Sequence, residues 1–377
     1  MLQLFRPTYE VEKCILEIRK VLESGWTGTG PQCSLFEKRW CEKTGAKFSH
    51  YVNSATAALH IALRLCNLDA GSKVATTGIT FVSTNAVILY ENLTPVFCDV
   101  NPETMSLSWT SAIKAIEDGC KAIIWVHYGG CVSPDFYAFM DELKKRNLSA
   151  AVIEDCAHSD GSFYADGTRV GSRSDTISCF SFQAVKNLPT FDSGMLCVPT
   201  IEMHLRATKL SWLGIDKSTY ERTSIGGANE VYKWMYTVPE LGWKYNGNDI
   251  AASIGLVQLE QLDKDNAYRK QLYEWYNDNL SNSNVEILRH TRGSSHHLMV
   301  IKSGKRDHIM ASLKSNGIAP GVHYQPNFTF PIFAPFYTSG SCVNSEEESK
   351  KIMSLPNHLQ MGYEDVVRIC NIIKQAP

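Results

Sequence analysis

No stretch of this chain is long and apolar enough to span a bilayer, and none resembles a secretory leader. Within the first thirty residues Glu10, Glu12, Lys13, Glu17 and Arg19 break up the apolar positions. The expectation is a cytosolic protein with no membrane partner. An excess of charge is missing too: 37 basic residues stand against 39 acidic ones, a net charge of −2. Nothing electrostatic therefore invites nucleic acid or an anionic surface. None of the 12 cysteines forms a Cys-x-x-Cys pair, which argues against structural zinc and predicts no metal. Several, such as Cys98 and Cys179, sit in apolar runs and read as buried reduced thiols. There is no Gly-Lys-Ser phosphate loop. Gly28-Thr-Gly30 opens like a dinucleotide fingerprint, but the third glycine is absent and no strand precedes it. Internal repeats and low-complexity segments are likewise absent.

What is present suits a large core. Apolar residues make up 44% of 377, enough for two domains. From about Ser54 to Leu213 short apolar runs alternate with helical patterns. Ser54–Asn67 carries Ala58, Ile61, Ala62 and Leu65 at helical spacing. Strands are predicted at Lys73–Thr77, Pro95–Val100, Ala122–His127, Ala150–Glu154, Ile177–Phe182 and Met195–Val198. Helices are predicted near Asn85–Glu91 and over Asp135–Asn147. This alternation implies a largely parallel sheet covered by helices, an α/β architecture. After about Tyr245 the pattern changes. A long helix starts near Ile250 and runs towards Leu280. Strand-like stretches follow at Val285–Leu288 and His297–Ile301, then helical patterns at Asp307–Ser315 and Glu364–Ile373. The division expected is residues 1–245 as a large α/β domain and 246–377 as a smaller α+β domain.

Ligands of open parallel sheets bind beyond the carboxyl ends of strands. Asp155 stands at one such end, with His158 three residues on. Ile177–Phe182 leads into Gln183-Ala-Val-Lys186, and Lys73–Thr77 into Gly78-Ile-Thr80-Phe81. The helix at Ser54-Ala55-Thr56 begins with small and hydroxylated residues, whose free backbone N–H groups can receive a phosphate. Each feature alone has a plain structural explanation: a turn, a cap, a core aromatic or a surface lysine. Together they supply a phosphate cradle, a flat ring, a carboxylate and a lysine. His296-His297 is read differently: neighbours on a strand point to opposite faces, so the pair makes no metal site.

The order of these motifs resembles the sugar aminotransferases of the DegT/DnrJ/EryC1/StrS family, across nearly the whole chain. It opens with Ser24-Gly-Trp26-Thr-Gly28-Thr-Gly30-Pro31 and Phe36-Glu37, then Asn53-Ser-Ala-Thr56-Ala-Ala-Leu59. His127-Tyr-Gly-Gly130, Glu154-Asp155-Cys-Ala-His158 and Ser181-Phe-Gln-Ala-Val-Lys186-Asn187 follow. Gly242-Trp-Lys244-Tyr-Asn246, Asp249-Ile-Ala-Ala252, Gly317-Ile318 and Val322-His-Tyr324-Gln-Pro326 complete the series. The resemblance implies a fold-type I, aspartate-aminotransferase-like transferase dependent on pyridoxal 5'-phosphate (PLP).

By the same resemblance Lys186 holds the cofactor as a Schiff base and moves the substrate proton. Asp155 pairs with the pyridine nitrogen, Phe81 stacks on the ring, and His158 stands beside the phenolic oxygen. Ala55, Thr56 and Ser181 contact the phosphate, while Lys244 or Asn246 reaches the phosphate of a second subunit, which implies a homodimer with shared sites. His323 and Tyr324 are candidates for sugar contacts. The substrates implied are a nucleotide-linked 3- or 4-keto-6-deoxyhexose and L-glutamate, with the product feeding surface polysaccharide or another glycoconjugate. Gln183 stands where many members have His, Thr190-Phe-Asp-Ser-Gly194 replaces the usual Thr-Thr-Gly-Glu-Gly-Gly, and Lys244-Tyr-Asn246 replaces Asn-Tyr-Arg. One branch of the family carries His in place of the lysine and removes a hydroxyl group; keeping Lys186 favours transamination. A lyase or dehydratase of the same family, or a non-catalytic ligand-binding relative, stays open on sequence alone.

Overall fold

The computed structural model describes residues 1–216 and 235–376. Two N-terminal helices, α1 (Val11–Ser24) and α2 (Pro31–Thr44), precede β1 (Phe48–Val52) and α3 (Ala55–Leu65). Then β2 (Lys73–Thr77), α4 (Val82–Tyr90), β3 (Thr94–Cys98), α5 (Trp109–Glu117), β4 (Ala122–Val126), α6 (Pro134–Lys145) and β5 (Ala151–Asp155) alternate. The sheet is finished by β6 (Ile177–Ser181) and β7 (Gly194–Val198), and α7 (Ile201–Ser211) follows. The strand order is β1-β7-β6-β5-β4-β2-β3. β2 to β6 run parallel, whereas β7 is antiparallel to both of its neighbours. The carboxyl ends of β2, β4, β5 and β6 therefore share one edge, and the chemistry is placed there.

Cores form on both faces of the sheet, as expected when helices cover each side. One is rich in aromatic residues, including Trp40, Trp125, Phe136, Phe139 and Phe180. The other is aliphatic and built around α3. Sequence periodicity gave α3 a single apolar face, yet Leu59, His60 and Leu63 are buried as well. The helix is packed by the sheet, α4 and α7 together. A helix enclosed in this way loses its amphipathic pattern.

The long helix α8 (Asp249–Leu280) ties the chain's opening to its second half. Asp249 accepts from the backbone N–H groups of Gly30 (2.9 Å), Cys33 (3.0 Å) and Gln32 (3.2 Å). Those are the free donors at the start of α2, so a carboxylate satisfies them from inside the protein. A Cβ on Gly30 would lie 2.3 Å from the Trp26 indole and 2.8 Å from Asp249. The glycine loop thus serves helix capping, in keeping with its incomplete dinucleotide pattern.

Beyond α8 come β8 (Glu286–Ile287), β9 (Met299–Lys302), α9 (Arg306–Ser315), α10 (Val343–Glu348), β10 (Ile352–Leu355) and α11 (Tyr363–Gln375). The strands form an antiparallel sheet in the order β10-β9-β8, packed on α8, α9 and α11 through a separate apolar cluster. The strand predicted at His297–Ile301 starts later, at Met299. His296 takes a positive φ of 51° and precedes it. The two imidazoles still point apart: His296 stacks with His290, and His297 with Phe5. Among the described residues no helix is long and apolar enough to cross a membrane.

Candidate active site

A cavity of about 510 Å³ opens along the shared strand edge. Ser54, Ala55, Thr56, Phe81, Asp155, His158, Ser181, Lys186, His323 and Tyr324 all line it. The sequence placed these residues on five separate segments, and the fold brings them together. Lys244 and Asn246 do not line it within one chain. The Lys244 ammonium sits 3.3 Å from the centre of the Trp212 ring, and Asn246 Nδ2 donates to Thr29 Oγ1 at 2.7 Å.

At one end of the cavity α3 begins. Ser54 is its N-cap, its Oγ accepting from Ala57 N–H at 3.1 Å. Earlier N–H groups, those of Ala55 and Thr56, are the ones an N-terminal turn leaves free, and they stand in the cavity wall. The helix dipole adds partial positive charge there. Ser181, at the end of β6, and Ser193 face the same space. Gly194 keeps the cradle open: a Cβ on it would lie 2.7 Å from Ala55 N and from Phe180 O. This end fits a phosphate.

The middle holds a carboxylate and an amine. Strand alternation sends the adjacent acids of β5 in opposite directions. Glu154 turns into the core, accepting from Thr176 Oγ1 (2.5 Å) and Tyr164 (2.9 Å) and pairing with His127 Nε2 (2.6 Å). Asp155 turns into the cavity, only 4% exposed. Its Oδ2 accepts from Thr84 Oγ1 at 2.7 Å, and its Oδ1 from Ala157 N–H at 3.1 Å. Burial raises its pKa above the ordinary value, while those hydrogen bonds and Lys186 draw it back. Desolvation lowers Lys186 to about 8, against the fields of Asp155 and Asp160. A lysine poised there supplies a neutral amine near physiological pH.

On the remaining side, His158 Nδ1 accepts from Gly129 N–H at 3.2 Å, and its Nε2 lies 3.0 Å from the Tyr324 hydroxyl. Burial, then Lys186 and His323, hold His158 well below its usual pKa, so the ring is neutral. With Nδ1 accepting, the hydrogen-bond pattern assigns the proton to Nε2, which donates to the Tyr324 oxygen. The hydroxyl proton of Tyr324 is then free for another acceptor. Phe81 caps α4 at the cavity's lip and is 59% exposed, its ring 6.3 Å from that of Tyr324.

Sequence reasoning passed over Thr84, whose signal was a second threonine one helical turn after Thr80; the two hydroxyls are 2.9 Å apart. It also passed over Phe5, which comes from far away in the chain to line the cavity. Cradle, carboxylate, poised amine and flat lip together fit PLP. A carboxylate at the ring nitrogen and a lysine for a carbonyl group suit that cofactor's chemistry.

The sequence profile described as the DegT/DnrJ/EryC1/StrS aminotransferase family matches residues 8–374. An uncharacterised protein, MJ1066 of Methanocaldococcus jannaschii, is 33% identical, the match covering 98% of this chain and 96% of that one. Spr1654 of Streptococcus pneumoniae, solved in its PMP form, superposes with a TM-score of 0.90 at 27% identity, over 99% of this chain and 98% of that one. The sugar aminotransferase CalS13 of Micromonospora echinospora gives a TM-score of 0.89 at 25% identity, over 100% of both chains.

Proposed function

The chain belongs to the DegT/DnrJ/EryC1/StrS aminotransferase family and is a PLP-dependent sugar aminotransferase, and from that premise we propose its substrates and the roles of its residues. The amino group passes from L-glutamate to a nucleotide-linked 3- or 4-keto-6-deoxyhexose, and the product serves surface polysaccharide or glycoconjugate synthesis. The observation that carries the site assignment is the meeting of Lys186, Asp155 and the free start of α3 in one cavity.

When bound, PLP supplies an electron sink that makes the proton on the carbon bearing the amine removable. The chain supplies everything else. Ala55 and Thr56 N–H groups and Ser181 hold the phosphate. Asp155, whose charged form the Thr84 and Ala157 hydrogen bonds favour against its burial, would pair with the ring nitrogen and keep it protonated. Phe81 covers the ring. Lys186 would hold the cofactor through its Nζ, and as a free amine would carry the substrate proton at the same atom. Tyr324, oriented by His158, turns its hydroxyl proton to the cofactor's phenolic oxygen or the sugar. His323, fixed by Ser354 Oγ at 2.8 Å, stands beside it for the sugar.

The reading includes a homodimer. Lys244 and Asn246 lie outside their own chain's cavity and would complete the partner's phosphate site. Exposed Leu213 and Leu241, near Lys244, offer apolar surface for that contact. In the proposed division the cofactor residues belong to 1–245, with His323 and Tyr324 in 246–377.

The test is an absorption spectrum of the PLP-loaded protein. The visible band should bleach with L-glutamate and return with a nucleotide-linked keto sugar. A band that L-glutamate and other amino donors leave unchanged would overturn the transaminase reading. A band restored by simple keto acids but by no keto sugar nucleotide would overturn the substrate.

A further inference from the structure

L-glutamate, the amino donor of the proposed function, brings carboxylates into the cavity, yet among the described residues no arginine lines it. The acidic and basic side chains of the wall are Asp155, Asp192 and Lys186. Neither acid can hold a carboxylate by charge. Lys186 attracts one only as an ammonium, and the reaction needs this amine neutral for part of the cycle. The imidazoles of the wall, His158 and His323, are lowered by burial and stay uncharged. A neutral hydrogen-bond donor is left to take the carboxylate.

Most donors of the wall already have a part. Thr80 Oγ1 shares a hydrogen bond with Thr84, and the hydroxyls of Ser181 and Ser193 belong to the phosphate end. Ser83 stands on α4, at the Phe81 lip. Gln183 lines the cavity, is exposed to it, and has no part in the mechanism above. Its Oε1 accepts from Val185 N–H at 3.1 Å. That bond assigns the two ends of the amide and leaves the Nε2 hydrogens to be given away. The Gln183 carbonyl also accepts from Lys186 N–H at 2.8 Å, so amide and reacting amine belong to one turn. The α-carboxylate of an amino acid is bonded to the very carbon whose proton Lys186 would carry. A donor in the lysine's own turn, facing the same cavity, suits that carboxylate.

We propose that the Gln183 side chain anchors the α-carboxylate of the amino donor, its Nε2 donating to a carboxylate oxygen. The inference rests on the transaminase reading above and assigns one further substrate-binding residue to it. A hydrogen bond from a neutral amide to a charged acceptor is strong enough to matter for affinity, and it brings no fixed charge beside Lys186.

The experiment titrates the PLP-loaded full chain, in wild type, Gln183→Glu and Gln183→Ala, following the visible band. L-glutamate is added to bleach it, and 2-oxoglutarate, which carries the same carboxylate beside its ketone, to restore it. Gln183→Glu keeps an acceptor for Val185 N–H but loses the donor; Gln183→Ala loses the donor without adding charge. In both variants the apparent Kd for L-glutamate and for 2-oxoglutarate should rise by roughly tenfold or more. The apparent Kd for PLP, and for a nucleotide-linked keto sugar, should change by less than about threefold. Unchanged amino-acid affinity in either variant overturns the proposal: a loss in Gln183→Ala alone makes the residue a support for its turn, and a loss in Gln183→Glu alone is repulsion by the new charge. An equal loss for PLP or the keto sugar overturns it too, since the effect would not follow the carboxylate. Wild type separates the two levels. If L-glutamate fails to bleach its band, the transaminase reading falls and this inference with it; if wild type bleaches and the variants match it, this inference alone falls.

Discussion

Thr84 Oγ1 lies 2.7 Å from Asp155 Oδ2, a hydrogen bond sealed from solvent between the first turn of one helix and the end of a neighbouring strand. The hydroxyl can only donate to an ionised carboxylate, so it favours the charged form against the burial that opposes it. Thr84→Val keeps the shape and loses the donor. The Asp155 pKa then rises, and the charge at the ring nitrogen is lost at higher pH than in wild type. Steady-state kinetics should show kcat/KM falling by roughly tenfold, with the acid limb of its pH profile displaced upwards.

The adjacent acids of β5 should separate activity from stability. Asp155→Asn is expected to cut turnover by roughly a hundredfold or more with little change in urea midpoint. Glu154→Gln should do the reverse, losing about 3 kcal/mol because its buried donors are left with a poorer acceptor. Burial pushes Glu154 up, but hydrogen bonds from His127, Thr176 and Tyr164 outweigh it and hold the pKa below 4.5. Its stabilisation is therefore complete above that pH and lost as pH falls through the depressed value. The Glu154→Gln deficit should shrink in acid.

Gly194→Ala tests the cradle. Its Cβ would stand 2.7 Å from backbone atoms of Ser54 and Ala55, which cannot swing aside as a side chain could. The start of α3 must shift, and a spectroscopic titration should find PLP affinity reduced by roughly tenfold. Affinity equal to wild type would remove the phosphate from this end of the cavity.

Much of this arrangement was legible in the sequence. Asp155, His158 and Lys186 follow apolar runs that read as strands, and the fold brings all three to one cavity. Ser54 announced a helix start by its chemistry and caps it in the structure. Other parts were not legible, for physical reasons. The long-range capping of α2 by Asp249, 219 residues from Gly30, leaves no local pattern. The wall formed by Phe5 depends on packing of the chain's opening against the second sheet's surroundings. Asp160 reads as a polar turn residue until the fold encloses it, since burial is a property of neighbours rather than of the residue.

The pH profile of turnover should carry the mark of one amine and no imidazole. Lys186 titrates near 8, whereas His158 and His297 are held well below 6.5 by burial and His323 is lowered to about 4. Log kcat measured between about pH 5 and 10 should rise with the neutral fraction of the lysine. It should show no step centred on the ordinary histidine value of 6.5.

The most direct test of the account is to locate the lysine that holds the cofactor. The PLP-loaded protein is reduced with borohydride, digested and mapped by mass spectrometry. The account predicts a single modified lysine, Lys186, and no visible absorption band in Lys186→Ala. Stoichiometric modification of another lysine, or an unchanged band in that variant, would contradict it.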